Sequence, residues 1–231
     1  MKFIIGEPAL KVEKTLVIAD LHLGIEYEIF HKGIWIDQSE EIAKRINKLV
    51  KKTKAKRLLI LGDLKHNVPF IKRMEKLIVP KILREVKKNV EIIITPGNHD
   101  GRLGDLIPKG IKTLDSRGIL IKRILLLHGH TRPRENKAST IVIAHNHPLI
   151  RIKDKFGAKY VKKVWIIGRH KETEQKIIIM PAFSNLVGGV YINEVKNEDE
   201  LLGPVARKID LLNSECYLLD GTYIGKVKEL R

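Results

Sequence analysis

The sequence predicts an α/β fold whose later part is closer to α+β, because short apolar runs first alternate with helical patterns and then follow one another closely. Eight runs of β-branched residues or leucine are bounded by polar residues, glycine or proline, as is typical of buried strands. These runs are residues 16–19, 58–61, 91–95, 119–127, 141–144, 164–167, 177–180 and 190–192. The first three predict parallel strands joined by crossover helices, and the later five predict a strand-dense region.

Two amphipathic segments supply the predicted crossover helices. Residues 39–54 place apolar side chains on one stripe and lysines on the other face. That stripe consists of Ile42, Ile46, Leu49 and Val50. Asp37 or Ser39 is the candidate cap at its start. Residues 71–88 are also predicted to be helical, and Pro80 is expected to kink or divide that helix.

The C-terminal part carries two further predicted elements. Residues 216–219 and 222–227 flank Asp220-Gly221, which predicts a β-hairpin with a type I′ turn. Residues 198–209 are predicted to form a last helix that Gly203-Pro204 interrupts. Since no repeat or linker-like tract divides the chain, we expect residues 1–231 to form a single domain.

The composition is strongly basic, with 44 Lys and Arg against 27 Asp and Glu and a net charge of +17. Such a surplus favours phosphate-bearing partners, including nucleic acid. The scarcity of glutamine and the many lysines, glutamates and isoleucines equally indicate a thermophile-like surface of ion pairs. Composition alone therefore does not decide between nucleic-acid binding and thermal stability as the reason for the charge. The single cysteine, Cys216, excludes an intramolecular disulfide framework and a cysteine-rich zinc site.

Two features bear on membranes and location. The first twenty residues carry several charges, so we expect no signal peptide. The longest uncharged stretch, residues 177–193, contains Pro181, Gly188 and Gly189 and does not resemble a bilayer span. We therefore expect a cytoplasmic protein that does not contact the membrane.

Seven of the nine histidines lie in five short segments, each directly after a predicted strand. In order, the segments are Asp20-Leu21-His22, Gly62-Asp63-Leu64-Lys65-His66, Gly97-Asn98-His99-Asp100, His128-Gly129-His130 and His145-Asn146-His147-Pro148. Loops at the carboxyl ends of strands in an open α/β sheet converge on one crevice. A single histidine there is more often a satisfied core residue, whereas five such loops together predict one polar site.

The residue types at this site predict metal binding. Asp-x-His and His-x-His put alternate side chains on the same side of an extended segment, so both can reach one ion. Imidazole, carboxylate and one amide oxygen suit Mn²⁺ or Fe²⁺, or Zn²⁺ with expanded coordination. The candidates exceed the ~4 ligands of one tetrahedral ion, which indicates two metals. A pair roughly 3.5–4 Å apart serves in-line displacement at phosphorus. Gly62 and Gly97 are expected to let the backbone turn sharply.

In this order the five segments resemble the calcineurin-like metallophosphoesterase superfamily, over about residues 16–150. The resemblance implies a four-layer α/β/β/α sandwich of the metallophosphoesterase type, with two metal ions at one edge. It implies that one ion binds Asp20, His22, Asp63 and His147. It implies that the other binds Asp63, Asn98, His128 and His145, so that Asp63 bridges the two. Ala144 replaces the glycine usual before His145, and we expect the site to tolerate it if its φ is negative.

The resemblance also implies catalytic roles. A metal-bridging hydroxide would be the nucleophile, and His99 would protonate the leaving oxygen. Asp100 would orient His99 or support the site from outside the metal shell. His66 stands where many members have aspartate, which resembles the nuclease branch related to DNA double-strand-break repair exonucleases, where it lies near the scissile phosphate. The chain length resembles the compact archaeal or ligase-associated phosphoesterases.

Other residues remain open between two interpretations. Arg132 and Arg134 suit phosphate by bidentate hydrogen bonding, but a solvated loop is an equal alternative. His130 is either substrate-facing, outside the metal shell, or structural. Phe183 is expected in the core, with stacking on a base as the alternative. Trp35 and Trp165 are expected to serve packing.

The function expected from the sequence is a dinuclear metal-dependent phosphoester hydrolase. A phosphodiesterase or nuclease acting on nucleic acid or nucleotides is favoured, with DNA or RNA among the candidate partners. The alternatives are a phosphomonoesterase or nucleotide pyrophosphatase, and a metal-binding scaffold with little turnover. Mn²⁺ is the favoured cofactor, with Fe²⁺, Zn²⁺ and Ni²⁺ as alternatives. The sequence sets no oligomeric state.

Overall fold

Two β-sheets form the scaffold of the computed structural model, which describes residues 1–31, 33–34, 39–134 and 137–231. The first sheet has the order β1 to β6. Its strands are β1 (Lys2–Phe3), β2 (Leu10–Val12), β3 (Thr15–Ile18), β4 (Arg57–Leu61), β5 (Glu91–Thr95) and β6 (Lys112–Thr113). The helices are α1 (Ile25–His31), α2 (Ser39–Thr53) and α3 (Arg73–Lys87). Strands β3 to β6 are parallel, and α2 and α3 are the crossovers, as the sequence predicts.

The second sheet has the order β14-β13-β11-β12-β9-β8-β7, and β10 pairs with β11. Its strands are β7 (Ile119–Ile121), β8 (Ile124–Leu126), β9 (Thr140–Ile143), β10 (Leu149–Lys153), β11 (Lys159–Arg169), β12 (Lys176–Ile179), β13 (Glu215–Leu218) and β14 (Tyr223–Lys226). Strands β8, β9 and β12 are parallel to one another, and the other pairs are antiparallel. The two sets of parallel strands matter for the site, because their carboxyl ends carry its loops.

Successive side chains of a buried strand point to opposite faces of the sheet, so neighbouring apolar residues belong to different layers of the core. In β3, Leu16 joins the core beneath the helices, and Val17 joins the core between the two sheets. In β12, Ile178 faces the layer between the sheets, and Ile177 faces the outer core of the second sheet. The predicted two-sheet sandwich is thereby confirmed.

The layer outside the second sheet consists of short 3₁₀ helices and irregular segments where a helical layer is expected. Its 3₁₀ helices are Ile192–Glu194, Glu198–Glu200 and Ala206–Lys208. Two of the sequence predictions are therefore wrong. Residues 198–209 form no α-helix, because Gly203-Pro204 separates two single turns. Residues 190–192 form no strand, since Tyr191 makes only one bridge, to Leu149, before the first 3₁₀ turn.

Three local expectations also need correction. Helix α3 runs through Pro80 undivided, and buried Val79 and Ile82 beside it pack into the core. Residues 119–127 form the hairpin of β7 and β8, because Lys122 adopts φ 55° and reverses the chain. The predicted β13–β14 hairpin is confirmed but its turn is not type I′, since only Gly221 of the Asp220-Gly221 pair has positive φ.

Two aromatic predictions can be compared with the core. Trp165 is buried and packs edge-on against Phe3, with ring centroids 4.8 Å apart. Phe183 is fully buried beneath the Arg45 guanidinium, so the expected core position is confirmed and base stacking is excluded. Trp35 and Asp37 lie outside the described residues, as does the side chain of Ser39.

Across the described ranges, we find no helix that is both long enough and apolar enough to cross a membrane.

Burial of the only cysteine predicts that it is chemically inert. Cys216 is 1% exposed, and burial raises the pKa of its thiol to about 12. Since the thiolate is the nucleophile, iodoacetamide at about pH 8 should leave native protein unlabelled and should label it fully in guanidinium chloride. Mass spectrometry measures the fraction labelled. Labelling of native protein at the rate of a free thiol would contradict this burial.

Candidate metal centre

Five loops meet at one edge of the sandwich, and each follows the carboxyl end of a parallel strand. Three loops follow β3, β4 and β5 of the first sheet, and two follow β8 and β9 of the second. The loops supply Asp20, His22, Asp63, His66, His99, His128, His130, His145 and His147. Because parallel strands end together, residues up to 127 positions apart in the chain become neighbours in space.

The first group of candidate ligands joins both sheets. Asp20, His22, Asp63 and His147 each offer one atom within 4.8 Å of the others. The His22 Nε2 atom lies 3.5 Å from Asp63 Oδ2 and 3.3 Å from His147 Nε2. The His147 Nε2 atom lies 3.4 Å from Asp20 Oδ1. This group therefore offers two imidazoles and two carboxylates to one point.

The second group shares Asp63 with the first. Asp63, His128 and His145 also have ligand atoms within 4.8 Å of one another. The His128 Nε2 atom lies 3.5 Å from Asp63 Oδ2 and 3.1 Å from Asp20 Oδ1. Asp63 is 1% exposed and is the member common to both groups, so its carboxylate lies between them.

Backbone strain is concentrated in these same residues. Five candidate ligands have left-handed φ values, which cost non-glycine residues of order 1 kcal/mol or more each. They are Asp20 (55°), His22 (46°), Asp63 (47°), His145 (68°) and His147 (44°). Hydrogen bonds between loops maintain the conformation, since the Asp20 N–H donates to Gly62 O and the His22 N–H donates to Asp63 O. The fold thus holds strained residues where several side chains must converge.

Two glycines make room for the ligands, each for a different reason. Gly62 has φ 80°, as expected for a sharp turn, and a Cβ there would lie 2.3 Å from the His128 ring. Gly97 has no positive φ, so the expectation of a glycine-dependent turn is wrong at that position. A Cβ on Gly97 would instead lie 2.1 Å from Asp63 Oδ1. Ala144 likewise has no positive φ, which explains why alanine is tolerated before His145.

The charges of the site favour binding of cations. Burial raises the pKa of Asp63, but the hydrogen bond and charge of His128 outweigh it and lower the pKa to about 2. Burial acts the same way on Asp20, yet His147 and His128 bring its pKa below the ordinary value. Burial lowers the pKa of His22 to about 3 and that of His145 to about 4. Ionised carboxylates and neutral imidazoles are the protonation states that ligate metals.

His128 lies between the two carboxylates. Burial alone would lower its pKa, but hydrogen bonds and charge from Asp20 and Asp63 raise it to about 10 when no cation is bound. Its Nε2 atom therefore faces the negative charge that both groups share, where a bound cation would take the place of the proton. The donor set, which is carboxylate and imidazole with two buried acids, therefore fits divalent cations.

Three imidazoles direct their Nε2 atoms at the two groups of candidate ligands. A partner at Nδ1 holds each of these rings in place. His147 Nδ1 donates to Gly188 O at 2.9 Å. The Nδ1 atoms of His22 and His66 are 3.2 Å apart, and those of His128 and His130 are 3.0 Å apart. Partners of this kind fix the tautomer and ring orientation of metal-binding histidines. The arrangement leaves each Nε2 atom directed at the carboxylates.

His99 and Asp100 have distinct environments. The His99 Nδ1 atom donates to the His66 carbonyl, and its Nε2 atom is 4.0 Å from Asp63 Oδ2. Asp100 is 5% exposed, and its carboxylate accepts from the N–H groups of Leu64, Lys65 and Gly97. These bonds brace two neighbouring loops, which corresponds to support of the site and not to direct contact with the His99 ring.

Two glutamates next to His66 were not anticipated from the sequence. The Glu28 Oε2 atom lies 3.3 Å from His66 Nε2. Glu75 is fully buried, and its carboxylate accepts from the N–H groups of His66, Asn67 and Lys72. Glu75 is the third residue of α3, a position that acidic residues favour, but Lys72 in place of a serine or threonine cap hides the usual signature.

The remaining candidates belong to neither group. Asn98 is exposed in the turn before His99. Arg134 is exposed and pairs with Asp115 at 3.1 Å, and Asp115 is a member of neither group. Arg132 lines a surface groove with His170, Lys171, Arg207 and Lys208, and that groove includes none of the grouped residues. Burial and the charge of His128 lower the pKa of His130.

Comparisons with known proteins give one family match and two structural likenesses. The sequence matches the calcineurin-like phosphoesterase family over residues 13–190. The nuclease MPE of Pseudomonas putida has a similar fold, with a TM-score of 0.61 and 18% identity over 93% of this chain and 89% of that chain. The phosphoesterase YfcE of E. coli gives a TM-score of 0.44 and 17% identity over 92% of this chain and 97% of that chain. No curated protein sequence matches significantly.

A two-sheet sandwich with two His/Asp groups sharing one carboxylate defines a metal-dependent phosphoester hydrolase. The chain belongs to the calcineurin-like phosphoesterase family, whose match spans most of its length. Family and geometry together indicate a dinuclear metal site.

Substitution of Gly97 by alanine should disturb Asp63 and with it metal binding. The added Cβ would overlap both Asp63 Oδ1 and the Asp63 N atom, at 2.1 and 2.4 Å, so the strained loop must move. We expect a loss of about 1–3 kcal/mol in the free energy of unfolding and fewer than two bound ions per chain. Denaturant titration and elemental analysis measure these quantities.

Gly101→Ala is the matched control, because a Cβ there meets nothing within 4 Å. We expect its unfolding free energy within about 0.5 kcal/mol of the original protein, with metal content unchanged. Full metal occupancy in Gly97→Ala would show that the close approach to Asp63 is unimportant.

Proposed function

We propose that this hydrolase is a dinuclear phosphodiesterase that cleaves nucleic acid or nucleotide substrates. The observation that carries the proposal is Asp63, which is buried and common to two groups of candidate ligands. Two ions sharing one carboxylate suit displacement at a phosphodiester. The net charge of +17 favours polyanionic substrates, and a nuclease is among the proteins of similar fold.

The proposed ligands are the two groups, with Asn98 added to the second as the family resemblance implies. Asp20, His22, Asp63 and His147 would hold one ion, and Asp63, Asn98, His128 and His145 would hold the other. Mn²⁺ is the proposed metal because the set lacks thiolates, with Fe²⁺, Zn²⁺ and Ni²⁺ as alternatives. When bound, such ions polarise phosphoryl oxygens and lower the pKa of water, which supplies the attacking group.

His99 is the proposed general acid. Its Nδ1–H is engaged by the His66 carbonyl, so Nε2, on the side facing Asp63, is the nitrogen left to donate a proton. The imidazole side chain is 28% exposed, which leaves it accessible to a leaving oxygen. Proton donation from Nε2 to that oxygen then assists breakage of the phosphorus–oxygen bond.

His66 is proposed as a positioning residue, a role that departs from the catalytic one expected from the sequence. If His22 ligates through Nε2, its Nδ1–H donates to His66 Nδ1, and His66 Nε2–H donates to Glu28. Both His66 nitrogens are then used to orient His22. By the same reasoning His130 orients His128, and Asp100 braces the loops of Asp63 and His99.

Further parts of the proposal concern the whole chain. The core between the two sheets takes side chains from both, such as Val17 and Val142, which supports one folding domain over residues 1–231. Arg132 and Arg134 as phosphate contacts, thermophily, and a cytoplasmic location stay predictions.

A panel of phosphoesters tests the function. With Mn²⁺ we expect hydrolysis of bis-p-nitrophenyl phosphate, single-stranded DNA or RNA to exceed that of p-nitrophenyl phosphate, and EDTA to abolish it. Zn²⁺ and cyclic nucleotides complete the panel, and released nitrophenol or oligonucleotide fragments are measured. Faster hydrolysis of the monoester would favour a phosphomonoesterase. Two bound ions without hydrolysis of any ester would favour a scaffold.

His99→Ala should separate proton transfer from metal binding. We expect kcat for a diester to fall about 10²–10⁴-fold while both ions remain bound, because the acid is lost and none of the proposed ligands is substituted. His31→Ala is the control, since His31 lies at the end of α1, edge-on to Tyr27 with ring centroids 4.3 Å apart. Unchanged kcat in His99→Ala would remove His99 from the mechanism.

A further inference from the structure

A two-stranded arm projects from the second sheet. Strand β10 pairs with the first half of β11, from Leu149↔Lys163 to Lys153↔Lys159. Only residues 164–169 of β11 pair with β12 or β13, so the arm has no other strand beside it among the described residues. Asp154 closes the tip, because its Oδ1 accepts from the N–H groups of Phe156 and Ala158.

The arm is basic, aromatic and exposed. It carries four lysines that have no carboxylate within 4.0 Å among the described residues: Lys153, Lys155 and Lys159 near the tip and Lys162 nearer the base. Phe156 at the tip is 84% exposed, and Tyr160 is 50% exposed. The Lys155 Nζ atom lies 5.0 Å from the centroid of the Phe156 ring. Exposed apolar rings and unpaired cations therefore alternate along one ribbon.

Folding alone does not account for this composition. A two-stranded hairpin is marginally stable by itself, and neighbouring like charges weaken it further. Lysines without an ion pair also occur elsewhere on the described surface, as at Lys48 and Lys51, but those lie on helix α2 and not on a ribbon with exposed aromatic rings. Within the arm Arg151 pairs with Glu194, whereas the four lysines share the hairpin with exposed Phe156 and Tyr160, and this combination of cations and rings indicates a polyanionic partner with planar groups.

The base of the arm is fixed at the metal centre. Strand β10 begins two residues after His147, and the Val164 N–H donates to Pro148 O. Lys163 Nζ donates to Ala182 O and Ser184 O, and the Ser184 N–H donates to Asp20 O. From this base five residues per strand extend about 17 Å, at ~3.3 Å per residue. A chain lying on the arm would thus lead to the candidate ligands.

We propose that the 150–162 arm binds a single-stranded nucleic acid and leads it to the metal centre. The four lysines contact phosphates, and Phe156 and Tyr160 stack on bases. This inference rests on the proposed phosphodiesterase function and adds the substrate class and its path. Exposed rings favour a single strand because its bases are unstacked and available.

Binding without turnover tests the arm separately from catalysis. Anisotropy of a labelled single-stranded oligonucleotide is measured in EDTA with the full chain and a variant with Lys153, Lys155, Lys159 and Lys162 all changed to Gln. We expect the variant to bind at least ~10-fold more weakly at low salt and its log Kd against log salt slope to fall by about 3, at ~0.7 per phosphate. Phe156→Ala should weaken binding roughly fivefold or more with the slope unchanged.

The matched control changes Lys48, Lys51, Lys52 and Lys56 to Gln, four exposed lysines near the end of α2. It removes the same charge, so equal weakening in both variants would overturn the arm as the site. Unchanged binding in the arm variant, or binding of phosphatidylserine vesicles in place of the oligonucleotide, would also overturn it. Binding is measured without metal, so it does not depend on catalysis. Failure of the phosphoester panel would reject the phosphodiesterase, and the arm would still be judged by the binding result.

Discussion

The metal edge of this hydrolase depends on one buried carboxylate, that of Asp63. Its Oδ1 accepts the His99 N–H at 3.0 Å, and its Oδ2 faces His22 and His128. A buried ionised acid without partners would be strongly unfavourable, so the surrounding imidazoles and the cations that they admit are required by its presence. The bare Cα of Gly97 and the brace of Asp100 both serve to keep this carboxylate in place.

Several residues around that carboxylate adopt unfavourable backbone conformations that bring their side chains together. Left-handed φ values at Asp20, His22 and His147 are unfavourable for residues with a Cβ, yet they allow side chains two positions apart, such as those of Asp20 and His22, to converge. Interloop hydrogen bonds and buried strands on both sides oppose relaxation of these loops. Strain of this kind is expected at functional sites and is seldom maintained without a use.

The main features of the fold and the residue types of the site could be predicted from the sequence, for reasons that particular residues show. Strand-length apolar runs followed by Asp, Asn and His mark loop positions directly, so the convergence of Asp20, Asp63 and His147 could be anticipated. Glu28 and the β10–β11 arm could not, because their meaning depends on contacts between distant segments. The same is true of Lys122, whose left-handed turn splits an apolar run that reads as continuous.

The two sheets contribute opposite halves of the site, and the smallest members of the apolar layer between them lie beside it. Ala19 and Ala144 directly precede Asp20 and His145. Asp20 accepts the His145 N–H at 3.3 Å and contacts His128, so the small side chains bring candidate ligands of both sheets together. A bulkier side chain at either alanine would act as a wedge between the sheets, and the candidate ligands on its two sides would move apart.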